Sequence, residues 1–125
     1  MPPFPANCPP SESVDPNIIV FRIAKEEPPS VRSFRTPAEM GTQRNIDECS
    51  RHTLSVTQTL EDAKHLRQLH ESLGNFITSG PLDLLAGKIL VDGINAETHT
   101  NWRPIEPQDQ RVARFQTVLV IPCGT

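Results

Sequence analysis

The sequence lacks any apolar run long enough to cross a membrane. Its longest apolar stretch lies around residues 118–121, far short of the roughly 20 residues that a membrane helix needs. The first residues also lack the basic segment and apolar core of a secretory signal. We therefore expect no membrane partner and a cytoplasmic location.

Cysteines are few and scattered, at Cys8, Cys49 and Cys123. An odd number of distant cysteines is not a disulfide framework, so we expect reduced thiols. Only Cys49 and His52 stand at a spacing that zinc ligands use, and no second pair matches them. The sequence therefore predicts no metal site.

The familiar catalytic motifs are missing as well. There is no G-x-S-x-G, no H-E-x-x-H and no glycine-rich phosphate loop. No pair of carboxylates stands out for acid–base chemistry, and neither Cys49 nor Cys123 has neighbours that would lower a thiol pKa. The residues alone leave open whether the protein is an enzyme.

The charge balance is mildly acidic, with 12 basic and 15 acidic residues and a formal net charge of −3. Nucleic acid binding depends largely on Lys and Arg that neutralise phosphates, so a nucleic acid partner is not expected. Arg32, Arg35 and Arg44 could form a local basic patch. The acidic residues among them favour a solvated loop instead.

Proline is abundant, at 13 of 125 residues, and six of these lie within residues 1–16. Proline fixes φ and donates no backbone hydrogen bond, which favours extended chain over packed structure. We therefore expect a disordered tail at 1–16 and a single domain at 17–125. A chain of this length fits one hydrophobic core.

A strand followed by a helix is the clearest local pattern. Residues 53–57 are rich in β-branched side chains, which favours a strand. Thr59 is then a good N-cap for an amphipathic helix at 60–73, and Gly74 a natural left-handed stop. The alternative is one uninterrupted helix over about 47–77.

Further strands are predicted at 18–24, 75–78, 88–91 and 112–121, and a short helix after Thr36 and Pro37. This order of elements indicates an α+β fold, with a mixed or antiparallel sheet and one main amphipathic helix packed on it. The apolar segments 18–24 and 112–121 are the candidates for central strands.

Four residues are candidates for ligand binding: Arg22 in the first strand, Ser55 before the helix, and His99 and Trp102 in a late polar loop. An arginine fork pairs with phosphate, a hydroxyl supports a ribose or amide, and an aromatic ring stacks on a base. Each also has a structural interpretation. Arg22 could reach solvent from a strand end, Ser55 is an ordinary strand residue, and Trp102 suits a core.

The strand with Arg22, followed by a strand with Ser55 and then a helix, resembles the layout of the ADP-ribosyltransferase-like fold. In that family the arginine and serine hold the nicotinamide dinucleotide and a later glutamate orients the ribose. Here Leu54-Ser55-Val56 replaces the usual Ser-Thr-Ser, and no glutamate is predicted in a late strand, since Glu97 and Glu106 both fall in predicted loops. The chain also resembles short bacterial hypothetical proteins with a Pro-Pro loop, a Leu-Ser-Val strand and a His-Thr-x-Trp stretch.

Three functional hypotheses follow. The first is a non-catalytic binding or interaction module, with a protein partner or a second copy of the chain. The second is an NAD-binding or ADP-ribosyltransferase-like domain that uses Arg22, Ser55 and His99. The third is an accessory protein whose proline-rich tail docks a larger partner. We favour the first, for which no cofactor is expected, and NAD is the cofactor that the second implies.

Overall fold

The computed structural model describes residues 13–41 and 50–122. Within these ranges the chain forms nine α-helices and strands in the order β1 (Ile18–Ala24), α1 (Pro37–Met40), β2 (Leu54–Val56), α2 (Leu60–Leu69), β3 (Phe76–Leu82), β4 (Gly87–Val91), β5 (Thr100–Pro104), α3 (Gln108–Ala113) and β6 (Gln116–Val120). Short 3-10 turns occupy Val31–Phe34, Ser50–His52 and Glu71–Leu73. The predicted short helix after Thr36 is α1.

The strands form two three-stranded sheets, in the orders β1-β3-β6 and β2-β5-β4. Every neighbouring pair is antiparallel. A single bridge between Phe21 and Thr57 joins β1 to the end of β2. The fold is therefore α+β with antiparallel sheets, and α2 is the one main helix in the described ranges, as the sequence predicts.

An apolar core lies on the inner faces of the two sheets. Trp102 at its centre is fully buried, and its ring stacks on Phe115 with a centroid distance of 5.9 Å. Phe34, from the 3-10 turn after β1, packs on Phe115 at 4.8 Å. The remaining core side chains are aliphatic: Val20, Leu54, Val56, Leu82, Ala86 and Ile89.

The β-to-α transition in the centre of the chain is confirmed. The Thr59 hydroxyl accepts a hydrogen bond from the Asp62 N–H, which caps α2. The helix ends at Leu69, however, and not at 73, and Gly74 has φ 134° rather than a left-handed helical stop. The buried Arg67 donates to the Gly74 carbonyl at 2.6 Å, which holds the chain in a tight turn towards β3.

The buried side of α2 is narrower than its leucines suggest. Leu66 is 9% exposed, whereas Leu69 is 49% exposed. Truncating Leu66 to Ala should therefore lower the free energy of unfolding by about 2–5 kcal/mol. Leu69→Ala is the matched control and should change it by no more than about 0.5 kcal/mol. Urea denaturation of both variants measures the difference, and equal losses would mean that α2 does not pack through Leu66.

Two stretches differ from the sequence prediction. The polar loop expected to hold His99 and Trp102 contains β5, the central strand of its sheet. The strand expected over 112–121 begins only at Gln116, because Val112 belongs to α3. The composition of β5 explains the first difference, since Trp102 is its only large apolar side chain and its other residues are polar or proline, although all but Asn101 are buried.

The central strands are β3 and β5, and not the apolar segments 18–24 and 112–121. β3 extends through Gly80 and Pro81, where the sequence predicts a stop. Pro81 is tolerated because β6 pairs with β3 only as far as Ser79, so its missing N–H faces no β6 partner.

The predicted tail lies mostly outside the described residues, as do Cys8, Arg44, Cys49 and Cys123. Its final residues are described, and Val14 exchanges two backbone hydrogen bonds of 2.9 Å with Ile89 of β4. In the parts of the chain that are described, no helix has the length and apolarity to span a bilayer.

Candidate functional site

The two sheets separate beside Arg22 and leave a gap between β1 and β2. Phe21 and Thr57 exchange two backbone hydrogen bonds, of 2.8 and 2.9 Å. An antiparallel ladder would next pair Ile23 with Ser55, but the bridge is isolated and the strands diverge. The gap is therefore a break in what would otherwise be one continuous sheet.

Backbone groups of both strands face this gap without a ladder partner. Since Phe21 and Thr57 bond to each other, the alternation of an antiparallel ladder points the N–H and C=O groups of Ile23 and Ser55 the same way. The Ser55 carbonyl accepts a bond from the Arg22 side chain. The same alternation turns the Ile23 N–H and C=O away from β3, and neither makes a non-ladder bond among the described residues.

The Arg22 guanidinium is held rigidly at the gap. Its Nε donates to the Ser33 carbonyl at 2.6 Å and its Nη1 to the Ser55 carbonyl at 2.8 Å. The guanidinium carbon lies 5.6 Å from the centroid of the Phe34 ring, a cation–π contact. The third nitrogen, Nη2, has no acceptor in the described ranges, so its two N–H donors are available to a ligand.

Among the residues described, no ion pair neutralises the positive charge of Arg22. No carboxylate in residues 13–41 or 50–122 forms a salt bridge with it. Burial, together with the positive charge of Arg111, lowers the pKa of Arg22 to about 10, so the group is still protonated at neutral pH. A fixed cation without a counter-charge is the electrostatic signature of an anion site.

A cleft of about 820 Å³ opens at the gap, a size typical of small-molecule sites. Apolar side chains of β1 and α2 form part of its wall, namely Phe21, Ile23, Ala63 and Leu66. Cationic side chains line it further out, namely Lys25, Arg32 and Arg35, all exposed. Glu26 is the one carboxylate among the lining residues described, and it accepts a hydrogen bond from Ser30.

The structure thus brings together two of the four predicted site residues, Arg22 and Ser55. Ser55 is exposed and lines the cleft. Trp102 is fully buried and donates from Nε1 to the Ala86 carbonyl at 2.9 Å, so it is a core residue and offers no platform to a ligand. His99 is not among the cleft-lining residues and bonds to Asp92 instead.

A buried ion pair braces the 3-10 turn that ends at Phe34. Arg111 of α3 donates to the two Glu39 carboxylate oxygens at 2.6 and 2.7 Å, and to the Phe34 carbonyl at 2.8 Å. Glu39 also accepts from the Thr36 N–H and completes the capping box of α1. Burial would raise the pKa of Glu39, but the bonds from Arg111 and Thr36 outweigh it and lower the pKa to about 2.

This ion pair predicts acid sensitivity. The pKa of Glu39 falls from an ordinary 4.5 to about 2 on folding, so its contribution to stability is full above about pH 4.5 and is lost as the pH falls towards 2. Urea denaturation between about pH 6 and about pH 2.5 should show the stability difference between wild type and Glu39→Gln shrinking on acidification. Parallel curves would contradict this role of Glu39.

The exposed cationic side chains of the cleft, Lys25, Arg32 and Arg35, form its cationic rim. The sequence predicts this rim only in part. Arg32 and Arg35 lie close to each other and to Arg44 in the sequence, but the acidic residues among them favour a solvated loop. Lys25 carried no signal of its own. Only the chain path explains the grouping, because the turn at Val31–Phe34 brings Arg32 back beside β1.

Metal ligation finds no support in the described ranges, where no group of three or more His, Cys, Asp or Glu side chains is placed to hold an ion. The cleft is lined by Arg22, which has no ion pair among the described residues, by backbone groups of β1 and β2, and by apolar side chains. Comparison of the chain with protein-family models, with curated proteins and with solved structures gave no match.

Proposed function

We propose that the domain is a binding module whose cleft takes a small anionic ligand of the nicotinamide dinucleotide class. The observation that carries the proposal is the free Nη2 of Arg22, on a guanidinium held in place by two carbonyls and a phenyl ring. Little side-chain entropy is lost when such a preorganised donor binds its ligand.

The charge of the cleft favours a phosphate-bearing ligand. Arg22, Lys25, Arg32 and Arg35 face a single carboxylate, Glu26, among the lining residues described. This local excess of positive charge stands against a net charge of −3 for the whole chain. The cleft therefore attracts anions that the rest of the surface does not.

The free backbone groups of Ile23 suit a carboxamide. A primary amide has one carbonyl acceptor and two N–H donors in a plane, so it can accept from the Ile23 N–H and donate to the Ile23 carbonyl. The apolar side chains of Phe21 and Leu66 lie in the same cleft and would cover the ring that carries the amide. A nicotinamide group combines these two features.

The proposal concerns binding rather than transfer of an ADP-ribosyl group. Transfer in the family that the layout resembles needs a glutamate beside the ribose. The lining residues offer only Glu26, whose carboxylate is exposed and engaged by Ser30. Glu106, one of the two sequence candidates, is instead bonded to Arg114 at 2.8 Å and does not line the cleft.

A thermal-shift series with NAD, ADP-ribose and nicotinamide riboside tests the proposal. A ligand at 100 times its Kd adds about 2.7 kcal/mol to the free energy of unfolding. We expect NAD to raise the melting temperature most, and nicotinamide riboside, which lacks phosphate, to raise it least. The absence of any shift at millimolar NAD would contradict the proposal.

A further inference from the structure

A second polar cluster lies where β4 ends and β5 begins, outside the cleft-lining residues. His99 Nδ1 lies 2.5 Å from Asp92 Oδ1, and Asn101 Nδ2 donates to Asp92 Oδ2 at 2.7 Å. The Ile94 N–H donates to the same carboxylate at 2.9 Å. The Asp92 carboxylate thus has three partners, and the proposed function uses none of them.

The Asp92 carboxylate is held in its charged form. Burial alone would raise its pKa, but the bonds from Ile94, His99 and Asn101 outweigh this and lower the pKa below its usual value. An ionised carboxylate accepts only, so His99 Nδ1 must be the donor in this pair. In the neutral ring, Nε2 then carries the free lone pair.

The His99 ring is also fixed through its backbone. The His99 N–H donates to the Ala96 carbonyl, and the His99 carbonyl accepts from the N–H groups of Asp92 and Gly93. The preceding residue, Thr98, is anchored to the start of α2 by a 2.8 Å bond from its N–H to Asp62. His99 Nε2 itself has no hydrogen-bond partner among the described residues.

Sheet register places this pair on the same face as Ser55. Ser55 lies directly opposite Asn101, and Asn101 lies opposite Leu90 on its other side. Asp92 follows Leu90 by two residues, and His99 precedes Asn101 by two. Since side chains two residues apart on a strand point to the same face, Ser55, Asp92 and His99 share the face turned away from Trp102. Diagonal neighbours across an antiparallel pair are about 7–8 Å apart, which sets the separation of Ser55 and His99.

We propose that Asp92 and His99 form a proton-transfer pair that hydrolyses small acyl esters at this outer face. An imidazole oriented by an ionised carboxylate, with its other nitrogen unshared, is the arrangement that general bases use. Because the pair lies outside the cleft-lining residues, this activity goes beyond the proposed binding of a nicotinamide dinucleotide.

The proposed step balances without any cofactor. A water molecule hydrogen-bonded to His99 Nε2 gives up a proton to that nitrogen as its oxygen bonds to the ester carbonyl carbon. The carbon–oxygen bond to the leaving alcohol then breaks, and the leaving oxygen keeps the electron pair. The imidazolium, stabilised by Asp92, returns the proton to the leaving group or to solvent.

Hydrolysis of 4-nitrophenyl acetate by the full chain tests the proposal, because this ester has no charge and does not need the anion-binding cleft. His99→Gln and Asp92→Asn should each lower the protein-dependent rate about 10-fold or more. His65→Gln and His70→Gln are matched controls, since both side chains are exposed and lie outside the pair. They should leave the rate unchanged.

Loss of rate that is shared equally by all four variants would overturn the proposal, as would a His99 variant of full activity. Circular dichroism establishes that each variant is folded. If a variant does not fold, the proposal is tested on the wild-type chain instead, by comparing its rate of hydrolysis in D₂O with that in H₂O. Slower hydrolysis in D₂O than in H₂O is expected of a general base, and equal rates would overturn that role. NAD binding by Asp92→Asn is measured as well. Because Asp92 does not line the cleft, a loss of hydrolysis with unchanged NAD binding separates the two proposals.

Discussion

Replacing Arg111 with Met should lower the free energy of unfolding by about 3–5 kcal/mol, because it leaves a buried carboxylate without its partner. The Glu39 side chain is 7% exposed and that of Arg111 is 1% exposed. The substitution also removes the donor to the Phe34 carbonyl. The loss reflects the unpaired charge of Glu39 more than any net attraction in the intact pair.

Urea denaturation at neutral pH measures this loss. Lys64→Met is the matched control, since Lys64 and Glu61 form an exposed pair at 3.7 Å that should be worth no more than about 1 kcal/mol. Combining Glu39→Gln with Arg111→Met should recover part of the loss, because no buried carboxylate is then left unpaired. A loss below about 1 kcal/mol in Arg111→Met alone would show that the pair does not brace the fold.

The second large effect concerns ligand binding. Arg22→Met should weaken NAD binding by about 10-fold or more, because a hydrogen bond to a charged group is worth about 1.5–3 kcal/mol and each 1.4 kcal/mol is a factor of ten. Arg22 supplies a buried charge and the unshared donor Nη2 to the lining of the cleft. Calorimetric titration of NAD into the folded variant gives the ratio of the two Kd values.

Two further variants separate charge from geometry. Arg22→Lys keeps the charge but loses the planar fork, so it should bind more weakly than wild type and more strongly than Arg22→Met. Arg32→Met removes an exposed cation from the rim, where solvent screens the interaction, so its effect should be the smallest. If Arg32→Met weakened NAD binding as much as Arg22→Met does, the anion would not be bound specifically at Arg22.

Local patterns were sufficient to predict the start of the fold. The run at 18–24 is apolar and rich in β-branched residues, interrupted only by Arg22, and it is β1. Thr59 and Asp62 mark the beginning of α2 because the cap is a short-range hydrogen bond between them. The α+β class, with a mixed or antiparallel sheet, followed from such elements taken in order.

The misses arise where long-range packing decides. The sequence of β5 predicts a polar loop. It is a strand because it pairs with β2 on one side and β4 on the other, and because Thr100 and Trp102 are buried in the core. The two apolar residues of α3, Val112 and Ala113, stand just before β6 in the sequence, so local pattern alone joins Val112 to the strand that follows. Helix α2 ends early because Arg67 bonds to residues beyond it.

Two of the four site residues predicted from the sequence, Arg22 and Ser55, line the cleft. The sequence predicts Arg22 and Ser55 as the arginine and serine of a strand-strand-helix layout, and in the structure Arg22 donates to the Ser55 carbonyl across the gap between β1 and β2. His99 was grouped with them, but it lies beyond Asn101 on the same sheet face rather than among the cleft-lining residues. The free backbone groups of Ile23 have no sequence signal, because they depend on where the ladder breaks.

The most direct test of the central claim follows backbone and side-chain nitrogen signals by NMR as NAD is added to the ¹⁵N-labelled chain. The account predicts that the Arg22 Nε signal and the amide signals of Ile23 and Ser55 shift together and saturate with one Kd. The amide of Val118, on the bulged part of β6, should not move. Saturable shifts that leave Arg22 and Ile23 unchanged, or no shifts at all, would contradict the claim that the break between β1 and β2 is a ligand site.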